Sequence, residues 1–171
     1  LFWNTHKNSD INDVLSEIII ENDISMVCLA EYTAKADELI NILSVQNVYM
    51  QEYLSCSERI KMFGKTTNIQ YRTDSDQAVI RIINNKDILC CIHLNSKIYS
   101  SHEDIREIHM EQIIKDIRDV EQELHAENTI VVGDFNLNPY DSSLINARYF
   151  HGLPIYEEAK RRSRVVAGEE F

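Results

Sequence analysis

The chain has 171 residues, 44% of them hydrophobic, with only four Gly and two Pro: enough apolar material for a substantial core, and too little Gly and Pro for a low-complexity segment. Seventeen Lys and Arg against 28 Asp and Glu give a formal charge of −11, so a broad basic face that grips nucleic acid nonspecifically is not expected, although a bound divalent cation reverses that sign locally. One domain over residues 1–171 is the expectation, with no linker and no internal repeat.

Leu1-Phe2-Trp3-Asn4 reads as the end of a first strand, with Asn4 as the first polar group at its carboxyl end. The chain begins without an initiator Met and already inside an apolar run, so residues ahead of Leu1 are expected to be missing. Ser9 or Asp10 is the expected cap of a helix in which Ile11, Val14, Leu15, Ile18 and Ile19 recur at helical spacing, ending at Asn22-Asp23. Ile24 to Ala30 is a second apolar strand, closed by Glu31. A carboxylate directly after such a run is costly without a partner, and a metal ion is one such partner.

Ala36 to Leu43 predicts a second helix with Leu39, Ile40 and Leu43 on one face. Val48 to Leu54, Arg59 to Phe63, Asn68 to Arg72, Ala78 to Asn84 and Ile88 to His93 predict five successive strands. The polar turns between the last four, at Lys65-Thr66-Thr67, Thr73 to Asp76 and Asn84 to Asp87, imply antiparallel pairing. The last of these strands ends in His93-Leu94-Asn95-Ser96. Ser101 to Leu124 predicts a long helix with an Ile105, Ile108, Ile113, Ile117, Val120 and Leu124 stripe. His102, His109 and His125 lie on or beside it, none at a spacing that makes a zinc site.

Thr129 to Pro139 follows. Ile130, Val131 and Val132 are β-branched and uncharged, which predicts a strand buried on both faces, with Gly133 and Asn138-Pro139 marking the turn after it. Asp134 and Asn136 are two apart, so an extended backbone sends both side chains to one face. The other reading is a turn in which the two merely bond their own backbone, and both readings stand at this point. Beyond Pro139, Asp141 to Ala147 predicts a short helix and Val165-Val166 one more strand or loop. The basic cluster of Lys160, Arg161, Arg162 and Arg164 reads as a solvated face in preference to a phosphate site. Glu169-Glu170-Phe171 does not look like a natural domain end.

Cys28, Cys56, Cys90 and Cys91 show no Cys-x-x-Cys spacing, and three of the four sit in apolar runs where free thiols pack as small hydrophobes. A reducing, cytoplasmic location is therefore expected. No run of 18 apolar residues marks a transmembrane segment. Strands ending in Asn4, Glu31, His93 and Asp134 with Asn136 would meet at one rim of a layered sheet fold. Oxygen donors of this type, with water filling the remaining positions, suit Mg²⁺, with Mn²⁺ as the alternative, and not zinc.

Trp3-Asn4, Leu29-Ala30-Glu31, His93-Leu94-Asn95-Ser96 and Gly133-Asp134-Phe135-Asn136, in that order, resemble the motifs of the endonuclease/exonuclease/phosphatase superfamily of DNase I-like fold. Each motif alone is weak and the ordered set is strong; the resemblance runs from Leu1 to about Asp141. It implies an α+β architecture, two packed antiparallel β-sheets flanked by helices in a four-layer αββα sandwich, here lacking its C-terminal strands. It implies that Glu31 binds the metal with Asn4 in support, that Asp134 and Asn136 orient and deprotonate the attacking water, and that His93 stabilises the transition state. Arg106 receives no role. The family closes with a further strand carrying Asp followed by His or another residue, and nothing after Asn136 matches it, so the chain is expected to be a fragment or inactive.

The expected activity is Mg²⁺-dependent hydrolysis of a phosphodiester or phosphomonoester, nuclease first, with a phosphate-ester substrate or nucleic acid as partner. The alternative is a catalytically silent scaffold that keeps the fold. An unrelated nucleotide-binding α/β domain is disfavoured by the lack of any Gly-rich phosphate loop.

Overall fold

The computed structural model describes residues 1–65, 68–96, 103–126, 129–146, 148–153, 155–160, 165–166 and 169–170. The first half alternates strand and helix: β1 (Phe2–Asn4), α1 (Asn12–Glu21), β2 (Met26–Ala30) and α2 (Ala36–Val45). Six strands and a long helix follow: β3 (Gln51–Tyr53), β4 (Ile60–Gly64), β5 (Ile69–Asp74), β6 (Ala78–Ile83), β7 (Asp87–His93), α3 (Glu103–Leu124) and β8 (Thr129–Asp134). Short helices α4 (Ser142–Ile145) and α5 (Tyr156–Ala159) precede a two-stranded antiparallel ribbon of β9 (Val165–Val166) and β10 (Glu169–Glu170).

Two four-stranded sheets, ordered β1-β2-β4-β3 and β5-β6-β7-β8, form the inner layers. Each is mixed, with one parallel pair at one edge: β1 beside β2, and β8 beside β7; the remaining pairs are antiparallel. The parallel pairs arise because α1 and α3 are crossover helices, which return the chain in the same direction. Cys28, Ile60, Met62, Val79, Leu89 and Cys91 fill the space between the sheets. Leu15, Ile19, Leu39 and Leu43 from α1 and α2 cover the outer face of the first sheet, against Val27, Leu29 and Phe63. Met110, Ile113, Ile114, Ile117 and Val120 of α3 cover the second sheet, against Ile80, Cys90 and Ile92. The four expected layers are therefore present.

Several expectations are corrected. The predicted turn at residues 65–67 does not close a hairpin: β4 and β5 belong to different sheets, and this is where the chain crosses between them, with Thr66 and Thr67 outside the described residues. Val48 to Leu54 shortens to β3, while β5 runs on to Asp74 through a bulge between Tyr71 and Thr73. Neither Ser9 nor Asp10 caps α1; Ile11 holds that position without a side-chain bond. Val14 and Ile108, counted in the helical stripes, are exposed, because each lies on the edge of its apolar arc away from the sheet. Ile130 is 59% exposed: β8 is an edge strand among the described residues and not buried on both faces.

All four cysteines are free, three of them buried and Cys56 exposed. No helix among the described residues is long and apolar enough to cross a membrane. Of the basic cluster only Lys160 is described, over the Tyr156 ring at 4.2 Å; Arg161, Arg162 and Arg164 lie outside the described residues.

Candidate active site

Strand register assembles the rim. In the second sheet His93 pairs with Asp134, and in the first Asn4 pairs with Ala30, one residue before Glu31. Asn4 and Asp134 end β1 and β8, which belong to opposite sheets, and the Asn4 amide Nδ2 donates to Asp134 Oδ2 at 2.8 Å. The structure therefore brings Asn4, Glu31, His93, Asp134 and Asn136 to one rim.

Gly133 makes this approach possible. A Cβ on Gly133 would lie 2.0 Å from the Ile92 carbonyl oxygen, so any larger residue would drive β8 away from β7. The next link is Leu94 N–H donating to the Asp134 carbonyl at 3.0 Å.

Asp134 combines both meanings considered for its motif. Its Oδ1 accepts the Asn136 backbone N–H at 3.0 Å, which is an Asx turn, while Oδ2 accepts Asn4. Asn136 takes the left-handed conformation, φ 49°, that Asn tolerates better than most residues, and its side-chain Nδ2 donates to the Leu94 carbonyl at 2.9 Å. That amide thus clamps the segment after β7 to the segment after β8. Around the turn lies a cleft of about 400 Å³ lined by Ser96, Asp134, Asn136 and Asn138.

Glu31 also has a left-handed backbone, φ 53°, which is costly for a side chain of its kind. Three hydrogen bonds hold it: its carbonyl accepts Thr5 Oγ1 at 2.8 Å and Lys7 N–H at 3.1 Å, and its own N–H donates to the Arg59 carbonyl at 3.1 Å. The carboxylate remains partly exposed, and its Oε1 lies 3.4 Å from His93 Nε2.

His93 is buried, and its Nε2 lies 3.4 Å from Arg59 Nη2 as well. A neutral ring serves either as acceptor to Arg59 or as donor to Glu31. Burial pushes the imidazole below its usual range and the Arg59 charge pushes the same way, against the smaller opposing effects of Asp134 and Glu31, so the ring is neutral at neutral pH. Its Nδ1 is buried with no hydrogen-bond partner among the described residues. The backbone is fixed separately, with His93 N–H donating to the Gln77 carbonyl at 2.8 Å.

Arg59 is the residue at this rim that sequence reasoning missed. Antiparallel pairing of β2 with β4 places Ile60 opposite Ala30, so the residue before β4 lies beside the residue after β2. Its Nη1 donates to Asn95 Oδ1 at 2.6 Å. An always-charged side chain opening an apolar strand is a sequence signal, but it becomes legible only once that register is known. Arg106 lies on α3.

No group of three or more His, Cys, Asp and Glu that could hold a metal gathers among the described residues. The oxygen donors at the rim are the Glu31 carboxylate and the Asn4 and Asp134 side chains, beside the His93 ring. Oxygen donors of this kind could hold a hard cation that takes one or two carboxylates and keeps several waters.

No protein-family model matches the chain, and no curated protein matches it by sequence. Solved structures do. The human Nocturnin catalytic domain, with a bound sulfate anion, aligns with a TM-score of 0.57 at 14% identity over 82% of this chain and 63% of that one. A 3′ phosphatase, NExo from Neisseria, bound to a product DNA hairpin, aligns with a TM-score of 0.56 at 12% identity over 83% and 59%. An AP endonuclease from Archaeoglobus fulgidus aligns with a TM-score of 0.50 at 13% identity over 86% and 63%. The chain spans about three-fifths of the length of these structures. Its layers and its similarity to these structures make its fold the DNase I-like fold.

Proposed function

We propose that the chain hydrolyses a phosphodiester or phosphomonoester in a divalent-metal-dependent reaction, with Mg²⁺ as the preferred ion, Mn²⁺ as the alternative and a nucleic-acid strand as the preferred substrate. The observation that carries this reading is the convergence of Asn4, Glu31, His93 and Asp134 at one rim of the sandwich. The 3′ phosphatase bound to DNA and the AP endonuclease among its fold neighbours support the substrate class.

Glu31 would hold the ion with Asn4 in support, and the ion would offset phosphate charge and polarise the bond to be broken. Asp134 accepts one hydrogen bond on each oxygen, which fixes its orientation and leaves lone pairs to take a proton from the attacking water. Asn136 sets that geometry through its backbone N–H. As the water oxygen bonds to phosphorus and the ester oxygen departs, negative charge spreads over the remaining phosphate oxygens. His93, neutral, donates from Nε2 to one of them, and the adjacent Arg59 supplies positive charge against the molecular charge of −11.

Plasmid DNA, RNA, sphingomyelin and inositol phosphates, each assayed with Mg²⁺ and with chelator, test the reading. Nucleic-acid cleavage that chelation stops, and that Asp134→Asn lowers by about 10² to 10⁴, is expected. A folded chain that cleaves none of the four favours the silent scaffold.

A further inference from the structure

A second cleft, of about 360 Å³, opens beside the rim and shares Arg59 and Asn95 with it. Its apolar wall is Ile113 of α3, which is buried. Gln77 contributes a buried side chain whose Nε2 lies 2.7 Å from His109 Nδ1, while the Gln77 carbonyl accepts the His93 N–H. The same residue therefore holds both the catalytic strand end and the cleft wall. Gln112, one turn of α3 from His109, supplies another amide at an exposed position.

The chemistry of this lining is specific. Gln77, Asn95 and Gln112 are primary amides, each carrying donors and an acceptor, and His109, whose Nδ1 is taken by Gln77, adds its Nε2. Among the described residues the charged lining is one cation, Arg59, and one anion, Asp76, so this lining has no cationic excess of the kind that recognises a second phosphate. An aliphatic chain would cover the apolar part of the lining but leave the three amides facing it without partners. Its volume lies within the usual range of about 300 to 1,000 Å³ for small-ligand sites. A planar group with an apolar face and its own donors and acceptors along the edge satisfies all three conditions.

We infer that this cleft is a nucleobase subsite, taking the base of the nucleotide joined to the phosphate held beyond Arg59. Its connection to that phosphate rests on the phosphoesterase reading; the base binding does not.

The test uses the whole chain, ¹⁵N-labelled, titrated with adenosine and cytidine and separately with ribose 5-phosphate, observing the side-chain amides of Gln77, Asn95 and Gln112. Saturable shifts with the nucleosides and none with ribose 5-phosphate are expected. Gln112→Trp, which obstructs the cleft from an exposed helical position, should weaken nucleoside binding about tenfold or more. It should raise KM for a dinucleotide by a similar factor, leaving kcat and turnover of a base-free phosphodiester unchanged. Equal shifts with ribose 5-phosphate, no shift with either nucleoside, or unchanged nucleoside affinity in the variant would overturn the subsite. Nucleoside binding without hydrolysis of any phosphate ester would keep the subsite and remove the phosphoesterase reading instead.

Discussion

The Asn4 amide donates to the Asp134 carboxylate at 2.8 Å across 130 residues of sequence, joining β1 of one sheet to β8 of the other. A partly buried hydrogen bond to a charged acceptor contributes about 1.5 to 3 kcal/mol. Asn4→Ala should therefore lower stability by about that amount and, by freeing Asp134 to rotate, lower kcat about tenfold or more. Urea unfolding and steady-state kinetics read the two effects separately, and a kcat equal to wild type would mean that Asn4 does not orient Asp134.

Gly133 tests whether β8 must lie this close to β7. With the Ile92 carbonyl 2.0 Å from where a Cβ would sit, Gly133→Ala should cost about 3 kcal/mol or more, because the obstacle is backbone and cannot turn aside. Thermal unfolding should show a drop of about 6 °C or more. A midpoint within a degree of wild type would mean that the two strands separate freely.

Arg81 and Asp74 form a buried ion pair, with Arg81 Nη1 and Asp74 Oδ1 2.5 Å apart and a second bond from Arg81 Nη2 to the Leu54 carbonyl. Burial alone would raise Asp74; the Arg81 hydrogen bond and the Cys56 backbone N–H outweigh it and hold the carboxyl below its usual range. Its folded pKa thus lies below the unfolded value of about 3.9. The stabilisation is fully present above that pH and is lost as pH falls through the lowered folded value. Arg81→Ala should cost about 3 to 5 kcal/mol by leaving Asp74 buried and unpaired, and Arg81→Met with Asp74→Leu should recover most of it. Urea midpoints measured between pH 2 and pH 7 check both the loss and its acid dependence.

His93 should titrate below the ordinary histidine value of about 6.5 in the metal-free protein, because burial and Arg59 both disfavour its proton. Protonation is thus disfavoured by folding: this contribution to stability is present above about 6.5 and fades as pH falls through the lower folded value. Arg59→Gln should move the titration upward by removing the neighbouring charge, and lower kcat about 10-fold to 100-fold. Imidazole NMR shifts followed against pH give the direction, and a downward movement in the variant would contradict the electrostatic account.

The strand ends were legible because an apolar run that stops at Asn, Glu, His or Asp marks where a buried strand meets a polar rim. Asn4, Glu31, His93 and Asp134 were all readable in this way, and the structure brings them together. Arg59 was not, since its place depends on Ala30 pairing with Ile60, a register that no local pattern encodes. The chain's passage between sheets after Gly64 looked like one more hairpin, because a polar connection reads alike whether it reverses a strand or carries it across a core. Ile130 misled for a related reason: β-branched residues indicate a strand but not whether that strand has neighbours on both sides.

The central claim, that Glu31 is the charged ligand of a divalent cation at this rim, is tested most directly by calorimetric titration of the chain with Mg²⁺. Glu31→Gln removes one charge and almost no volume, and the carboxylate is partly exposed, so the fold should survive. The account predicts saturable Mg²⁺ binding in the wild type and at least about tenfold weaker binding in the variant, a loss of about 1.4 kcal/mol or more. Equal affinity in the two proteins, with both folded, would contradict it.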